Sequence, residues 1–391
     1  MKKPPFIRRV AIRNYKSIAA CDVQLAQLMF LVGANGSGKS NFLDAFRFVG
    51  DSLWNSLDHA LRERGTIKEV RRRSGGHPNN FSLRFEFVLP SGQSGHYEFR
   101  VGAKPFGGYE VQNEECRIHA ATGLGNDAFF HVQQSGKVLE SSFPPGPATH
   151  SDRLYLVAAS GMPAFRPVFD AFSRIEVYNL DTRAISSMQP PDPGEILRRD
   201  GSNAASVLRR LPVEVRREIR DHLARIVPGV SDAEAKLLGS QETIEFRQSV
   251  LGQQHPWKFP ASSMSDGTLR AFAMLLAVFQ TMPGKDRTVP PLIGLEEPEM
   301  ALHPAAAHVL LSALRQGARE CQILVTSHSP DLLDNPDIEP ENLLAVENLN
   351  GVTRIGPIDN AGKNALRDKM FTPGELLRQN QLQPAMLAGE L

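Results

Sequence analysis

One stretch of this sequence combines glycines, a lysine and a serine at a spacing that suits the binding of a polyphosphate. It fits the pattern G-x-x-x-x-G-K-[ST] and consists of Gly33, Ala34, Asn35, Gly36, Ser37, Gly38, Lys39 and Ser40, with Asn41 directly after it. Glycines let successive backbone N–H groups surround phosphates, Lys39 would reach the β- and γ-phosphates, and the Ser40 hydroxyl would coordinate Mg²⁺. The stretch therefore predicts a site for a nucleoside triphosphate, taken as ATP, with Mg²⁺.

The segments on either side of this loop have the patterns of a strand and a helix. Leu28 to Val32 is a short apolar run of the length of a buried strand, and apolar residues recur at helical spacing over residues 42–49. A helix that begins at the loop adds unpaired N–H donors and the positive end of its dipole, both of which favour phosphate. Motif and flanks agree, so a merely flexible glycine loop is the weaker interpretation.

Two adjacent carboxylates, Glu296 and Glu297, stand at the end of a second apolar run that begins at Leu292. Phosphoryl transfer depends on positioning and charge neutralisation, which a metal ion and a water-orienting carboxylate supply. We assign Glu296 to Mg²⁺ and Glu297 to the attacking water. The alternative, a solvated acidic turn, loses weight because a phosphate loop precedes it.

Two further motifs are less specific. Ser265, Asp266, Gly267 and Thr268 precede an apolar helix, where small and hydroxyl residues form either an anion-binding helix start or a plain helix cap. The cap is the favoured interpretation when this motif is taken alone. His328 follows the strand predicted for residues 321–326, and a lone histidine there is usually structural.

Length and composition indicate an ordinary soluble protein. The chain has 391 residues, 41% of them apolar and 22% charged, and its formal net charge of +1 gives no global bias toward nucleic acid or membranes. Three widely spaced cysteines favour a reducing compartment over a disulfide or zinc framework. The longest apolar segment, residues 271–282, is too short to span a bilayer. We expect a cytoplasmic protein with no membrane partner.

The order of predicted elements indicates an α/β fold with a mainly parallel sheet. Residues 6–13 and Leu28 to Val32 are predicted as neighbouring strands, and short β-rich runs over residues 81–141 predict an antiparallel β-meander inserted after the first helix. We divide the chain into an amino-terminal lobe (1–150), a helical lobe (151–260) and a carboxy-terminal lobe (261–391).

In this order and spacing, the four motifs resemble the ATP-binding-cassette ATPases of the RecF, SMC and OLD type. The resemblance covers nearly the whole chain and includes the segments Asn14-Tyr15-Lys16-Ser17, Glu297-Pro-Glu299 with Leu302-His303-Pro304, and Thr326-Ser-His328-Ser-Pro330. The chain also resembles stand-alone bacterial ATPases grouped with the AAA family. The resemblance implies a P-loop NTPase head that hydrolyses ATP, with Ser265 to Thr268 as signature motif and His328 as a catalytic switch histidine. It also places Arg13, Asn14 and Tyr15 near the adenine.

The sequence departs from these families at several points. The signature reads Met264-Ser-Asp-Gly-Thr268, Glu296 stands where aspartate is commoner, and the usual switch glutamine has only Gln133 and Gln134 as weak candidates. OLD-type nucleases carry a metal-binding Toprim domain after the ATPase, and the tail of this sequence has no comparable run of paired carboxylates. We therefore expect any nuclease to be a separate effector.

In ATPases of this class the signature motif completes the site of a second subunit. The resemblance thus implies an ATP-dependent, head-to-tail homodimer that acts as a molecular switch in DNA maintenance or phage defence. A transporter energiser and a small-molecule kinase are the alternatives. The arginine-rich segments 62–73 and 198–225 predict either DNA contact or solvated helix faces, because acidic residues interleave with the arginines.

Overall fold

The computed structural model describes residues 5–74, 76, 78–120, 126–144, 150–282 and 289–385. The strands are β1 Ile7–Tyr15, β2 Ile18–Gln24, β3 Leu28–Val32, β4 Asn80–Val88, β5 Ser94–Ala103, β6 Tyr109–Ile118, β7 Ala128–Gln133, β8 Lys137–Ser141, β9 Glu176–Tyr178, β10 Val230–Leu238, β11 Gln241–Gln248, β12 Trp257–Pro260, β13 Leu292–Glu296, β14 Gln322–Ser327, β15 Leu343–Leu349 and β16 Val352–Pro357. The helices are α1 Lys39–Trp54, α2 Leu57–Arg62, α3 Ile67–Val70, α4 Tyr155–Ala159, α5 Arg166–Phe172, α6 Thr182–Ser186, α7 Ala204–Arg210, α8 Val213–Ile226, α9 Asp266–Phe279, α10 Ala307–Gly317, α11 Pro330–Leu333, α12 Asn360–Arg367 and α13 Pro373–Arg378.

In the described part of the chain, thirteen strands form one large sheet in the order β8-β7-β6-β5-β4-β1-β2-β16-β15-β3-β14-β13-β9. The strands from β8 to β2 pair antiparallel, and the strands from β15 to β9 pair parallel. β16 joins the two halves, antiparallel to β15 and parallel to β2. A separate small sheet has the order β10-β11-β12.

The two halves of the large sheet are buried differently, as their sequences dictate. All five residues of β3 are buried, which is typical of a parallel strand covered on both faces. Met29 and Leu31 pack into a core shared with α1, whereas Phe30 packs into a second core on the opposite face. In β4 burial alternates along the strand, so the antiparallel half has a core on one face only.

The fold class predicted from the sequence is confirmed, with two differences in the strands. The sheet is mixed, and its parallel part is confined to the strands around the phosphate loop. β1 and β3 are not neighbours, because β1 lies between β4 and β2 while β3 lies between β15 and β14. The sequence analysis did not predict β2, whose seven residues include an aspartate and two alanines. Strands from all three sequence regions enter the large sheet, and the division into lobes remains a prediction.

The helical portion packs around α9, which is buried from Thr268 to Phe279. A helix that is apolar on all sides must lie inside the fold, and α8 packs against it with an amphipathic face. The arginine-rich segment 198–225 contains α7 and most of α8, and its helical part begins only at Ala204. Within the described residues, no helix combines the length and apolar character that crossing a membrane requires.

A buried carboxylate fixes the meander to the helix that follows it. Glu114 of β6 is fully buried and accepts hydrogen bonds from the Tyr97 hydroxyl (3.0 Å), the Tyr155 N–H and the Leu156 N–H (2.8 Å). Burial raises its pKa to about 7, although the three donors act in the opposite direction. Glu114 therefore anchors the first turn of α4 to the sheet.

Candidate active site

The phosphate loop runs from the end of β3 to the start of α1, as predicted. Gly38 has φ 105°, and a Cβ there would lie 2.1 Å from Thr353 Oγ1. At Gly33 a Cβ would lie 2.0 Å from the carbonyl oxygen of Val346. Both positions therefore require glycine, because β15 and β16 press directly against the base of the loop.

Lys39 lies across the loop that it would serve. Its Nζ donates hydrogen bonds to the carbonyl oxygens of Gly33 (2.8 Å) and Ala34 (2.9 Å). Burial lowers the pKa of Lys39, while the nearby charges of Glu297 and Glu299 raise it. The Ser37 Oγ is buried and has no hydrogen-bond partner among the described residues. A desolvated ammonium beside an orphaned hydroxyl and a glycine cradle fits the phosphates of a nucleotide.

A chain of hydrogen bonds holds the loop from below. Thr353 Oγ1 donates to the Ser37 carbonyl (2.9 Å) and lies 2.7 Å from Ser17 Oγ, while Asn41 Nδ2 donates to Ser17 Oγ (2.6 Å). Since a carbonyl only accepts, the single Thr353 hydrogen goes to Ser37, and Ser17 must donate to Thr353. The direction is therefore fixed as Asn41 to Ser17 to Thr353 to Ser37. Sequence reasoning missed Thr353, because a lone threonine in a strand carries no signal.

The predicted pair of carboxylates lies at the carboxyl end of β13. Glu296 pairs in register with Thr326 of β14, and Thr326 pairs with Leu31 of β3, so these strands end together beside the phosphate loop. Burial raises the pKa of Glu296, and the charges of Asp44 and Glu297 add to this effect. Glu297 has φ 44°, an uncommon value for a non-glycine residue that turns the chain sharply after the strand.

His328 stands next to Glu297 because β14 ends beside β13. Its Nδ1 lies 3.2 Å from Glu297 Oε1, an ion-pair distance, although this nitrogen has no hydrogen bond of good geometry among the described residues. Both side chains are about one-third exposed. The structure thus brings together the two residues for which the sequence predicts catalytic roles.

Glu299 is a third carboxylate at this edge, and the sequence analysis gave it no role. Its Oε1 accepts a hydrogen bond from Ser327 Oγ (2.6 Å), whereas its buried Oε2 has no partner among the described residues. Burial raises the pKa of Glu299, and its charge is felt by both Lys39 and Arg270. Glu299 therefore holds the end of β14 through Ser327, next to His328, and its charge also acts on Lys39 of the phosphate loop.

The candidate signature motif forms the start of α9. Ser265 caps the helix, since its Oγ accepts from the Thr268 N–H (3.3 Å) and lies 2.9 Å from Thr268 Oγ1. A Cβ at Gly267 would lie 2.6 Å from the Ala301 carbonyl oxygen. One turn further, Arg270 Nη2 approaches the carbonyl oxygens of Glu296 and Glu297, both at 3.4 Å. The start of α9 is thus packed against the loop that carries Glu296 and Glu297 of the same chain.

The chain matches the model of a known protein family. The family model described as "AAA domain, putative AbiEii toxin, Type IV TA system" matches residues 28–334, a span that contains the phosphate loop, the carboxylates and His328. This chain belongs to that family.

Two curated relatives are similar in sequence. The OLD nuclease of Thermus scotoductus is 23% identical over an alignment of 364 residues, and the match covers 84% of this chain and 60% of the nuclease. The structural maintenance of chromosomes protein 3 of Arabidopsis thaliana is 30% identical over an alignment of 132 residues, and the match covers 32% of this chain and 9% of that protein. The chain thus corresponds to only part of the length of each relative.

Solved SMC head structures share the fold. A head domain of Pyrococcus furiosus with an extended coiled coil, bound to the C-terminal domain of ScpA, has a TM-score of 0.57 at 13% identity and covers 94% of this chain and 99% of that one. An SmcHead bound to the C-winged helix domain of ScpA has a TM-score of 0.55 at 17% identity, covering 90% and 97%. Family and fold together confirm the predicted resemblance to P-loop ATPases of the RecF, SMC and OLD group.

One of the residues predicted to lie near the adenine cannot contact a nucleotide with its side chain. Tyr15 is fully buried against Phe48 and Phe81, and its hydroxyl donates to Asp44 Oδ2 (2.7 Å). Its ring belongs to the core beneath α1, so the prediction is wrong for this side chain. Arg13 is exposed, and Asn14 has φ 52° at the end of β1. Their predicted role near the nucleotide remains untested.

Other sequence candidates lie far from the site or are used by the fold. Gln133 and Gln134 lie at the end of β7, which seven strands separate from β3 in the sheet, about 38 Å at the usual strand spacing. Neither serves the phosphate loop of its own chain. Asn179 follows Tyr178, which pairs with Leu295, so it lies at the same end of β9 as Glu296 does of β13.

Several arginines of the segments predicted for DNA contact pair with carboxylates of the protein itself. Arg64 is buried and pairs with Asp44 (2.8 Å) and Asp51 (3.1 Å). Arg199 pairs with Glu176 (2.7 Å) and with Asp51, and Arg209 pairs with Glu242 (2.9 Å). Arg64 thus fixes the end of α2 to α1, Arg199 joins α1 to β9, and Arg209 joins α7 to β11. DNA contact by the remaining arginines of these segments stays a prediction.

Proposed function

We propose that this protein binds ATP with Mg²⁺ at the phosphate loop and hydrolyses it between two head-to-tail copies of the chain, as a dimerisation switch. The observation that carries the proposal is the convergence of Lys39, Glu297 and His328 at one sheet edge. The charge of Glu297 acts on Lys39, and His328 lies 3.2 Å from Glu297. A phosphate-binding cation and a candidate base next to a histidine are the groups that nucleotide hydrolysis requires.

Each side chain has a distinct task in this proposal. Lys39 leaves the carbonyls of Gly33 and Ala34 and binds the β- and γ-phosphates. Ser40 and Glu296 would hold Mg²⁺, which would neutralise phosphate charge. Glu297 orients the attacking water and accepts its proton, while His328 holds the Glu297 carboxylate in place. These roles follow from the charge and position of each group.

The second half of the site would come from the partner chain. The start of α9, with Ser265 at its cap, resembles the signature motif that in this class faces the nucleotide of a second subunit. ATP would then hold two copies together, and hydrolysis would release them. Relatives described as an OLD nuclease and as chromosome maintenance proteins support a role in DNA maintenance or phage defence, with the switch gating a separate effector nuclease.

The variant Glu297→Gln tests the proposal. Glutamine keeps the size of the side chain but cannot accept the proton of water, so we expect hydrolysis to fall by about 10²- to 10⁴-fold. ATP should then persist between the subunits, and light scattering after size exclusion should show a dimer with ATP–Mg²⁺ and a monomer without it. Glu140→Gln, an exposed substitution on β8 at the far edge of the sheet, is the matched control.

Two results would contradict the proposal in different ways. A Glu297→Gln protein that hydrolyses ATP at the rate of the unaltered protein would show that Glu297 is not the catalytic carboxylate. An inactive variant whose mass does not change with ATP would refute the ATP-dependent dimer.

A further inference from the structure

The antiparallel half of the large sheet leaves one face open to solvent. Along β4, Phe81, Leu83 and Phe85 are buried in the core, so Ser82 and Arg84 lie on the opposite face. A cavity of about 330 Å³ lies on this open face, lined by residues of β1, β2, β4, β5 and β6. The charged residues that line this cavity are four arginines and three carboxylates.

The acidic groups of this cavity are already engaged by neighbouring arginines. Arg9 pairs with Asp22 (2.6 Å) and Glu86 (3.4 Å), and Arg84 pairs with Glu98 (2.5 Å). Asp22, Glu86 and Glu98 are the carboxylates that line the cavity. Their charges are therefore largely cancelled where a ligand would approach.

Two arginines in the same cavity remain without such partners. Arg13 of β1 and Arg100 of β5 are exposed, and neither guanidinium group forms an ion pair or a hydrogen bond with any residue that the structure describes. Arg13 pairs in register with Ser82, and Ser82 pairs with Arg100, so the three residues form one row across adjacent strands. At the usual strand spacing the two arginine backbones are about 10 Å apart.

The row continues with another hydrogen-bond donor. Asn113 of β6 pairs in register with Arg100, and its Oδ1 lies 2.7 Å from His131 Nε2. The Nδ2 group of Asn113 can therefore donate a hydrogen bond to a ligand beside Arg100. Arginine, serine, arginine and asparagine thus stand side by side, and each can donate to an anionic oxygen.

We propose that this row, Arg13-Ser82-Arg100-Asn113, binds the phosphodiester backbone of DNA. The backbones of the two arginines are about 10 Å apart, with a neutral donor between them and another beside them, so the row matches a series of phosphates better than a single one. One DNA strand carries a phosphate about every 3.4 Å along the helix axis, so each arginine could contact a different phosphate of the same strand. Contacts of this kind position a duplex without reading its sequence. The row is distinct from the arginine-rich segments of the sequence and does not depend on the dimer switch.

The test is DNA binding by the full chain, measured by fluorescence anisotropy on a labelled 30-base-pair duplex over a range of salt concentrations, without nucleotide. Arg100→Gln should weaken binding by about tenfold at low salt, because a hydrogen bond to a charged group is lost. It should also reduce the slope of log affinity against log salt by about 0.9, and the double variant with Arg13→Gln by about twice that. Arg319→Gln, an exposed arginine just after α10 and outside both arginine-rich segments, makes the same change in net charge and should leave the slope unchanged.

Three outcomes would overturn the proposal. The first is an unaltered protein that does not bind the duplex at low salt. The second is an equal loss in Arg319→Gln, which would show a general effect of net charge. The third is a loss of ATP affinity in Arg13→Gln without any change in DNA binding, which would assign Arg13 to the nucleotide. Melting temperatures of all variants, measured in parallel, would show whether each remains folded.

Discussion

Thr353 offers a sharp test of how the phosphate loop is held in shape. Its hydroxyl donates to the buried Ser37 carbonyl at 2.9 Å, and only 1% of Thr353 is exposed. The Ser37 carbonyl and the Gly38 N–H belong to one planar trans peptide unit, in which they point in opposite directions. Thr353 therefore fixes the direction of the Gly38 N–H, which points away from the buried threonine and can serve a phosphate.

The variant Thr353→Val keeps the volume of the side chain but removes the hydroxyl. The Ser37 carbonyl would then be buried without a donor, at a cost of about 1–3 kcal/mol. If this cost falls on the nucleotide-bound form, the affinity for ATP drops by a factor of about 5 to 150. Titration with a fluorescent ATP analogue measures the affinity, and thermal unfolding without nucleotide measures the part of the cost that falls on folding.

Thr353→Ser is the matched control, because it keeps the hydroxyl and loses a methyl group. We expect it to bind ATP nearly as well as the unaltered protein. Unchanged affinity in Thr353→Val would refute the reasoning. Equal weakening in both variants would show that packing of the methyl group, and not the hydrogen bond, shapes the loop.

Two further predictions concern the signature helix and the buried carboxylate of the meander. Gly267→Ala places a methyl group about 2.6 Å from the Ala301 carbonyl oxygen and should displace the start of α9. We therefore expect ATP hydrolysis to fall at least tenfold, while binding of the fluorescent ATP analogue stays intact. Normal hydrolysis would contradict the close contact. The pKa of Glu114 is raised from 4.5 to about 7, so this carboxyl binds its proton more tightly in the folded protein than in the unfolded chain. The free energy of unfolding should therefore fall by up to about 3 kcal/mol as the pH rises from 4.5 to 7, and then level off. Urea unfolding across this pH range should show the decline in the unaltered protein and lose it in Glu114→Gln; an identical pH dependence in both would exclude Glu114 as its source.

The sequence was sufficient for the phosphate loop because its chemistry is local. The glycines, Lys39 and Ser40 are contiguous, and the strand and helix that present them have patterns of their own. The position of Glu296 and Glu297 was also predictable, since two carboxylates after a buried strand lie at the carboxyl edge of a parallel sheet. The proximity of Glu297 to Lys39 is what the structure adds.

What the sequence could not predict depends on contacts between distant segments. Thr353 reaches the phosphate loop across more than 300 residues, and Glu299 gains its surroundings from Ser327 of a neighbouring strand. Tyr15 failed as a nucleotide contact because strand register turns its ring into the core. Arg64 and Arg199 looked like surface cations in a charged run, and only folding shows the carboxylates that meet them.

The junction between β2 and β16 has a consequence for how the molecule opens. The two strands share a single registered pair, Ile18 with Thr353, whereas each is joined to its own half of the sheet by a longer ladder. Local unfolding follows such weak boundaries, so backbone amides of the antiparallel half and of the parallel half should exchange their hydrogens as separate cooperative units. The phosphate loop is tied to Ser17 on one side of this boundary and to Thr353 on the other. A ligand that stabilises the loop would therefore couple the two units, so that the backbone amides of both exchange their hydrogens more slowly.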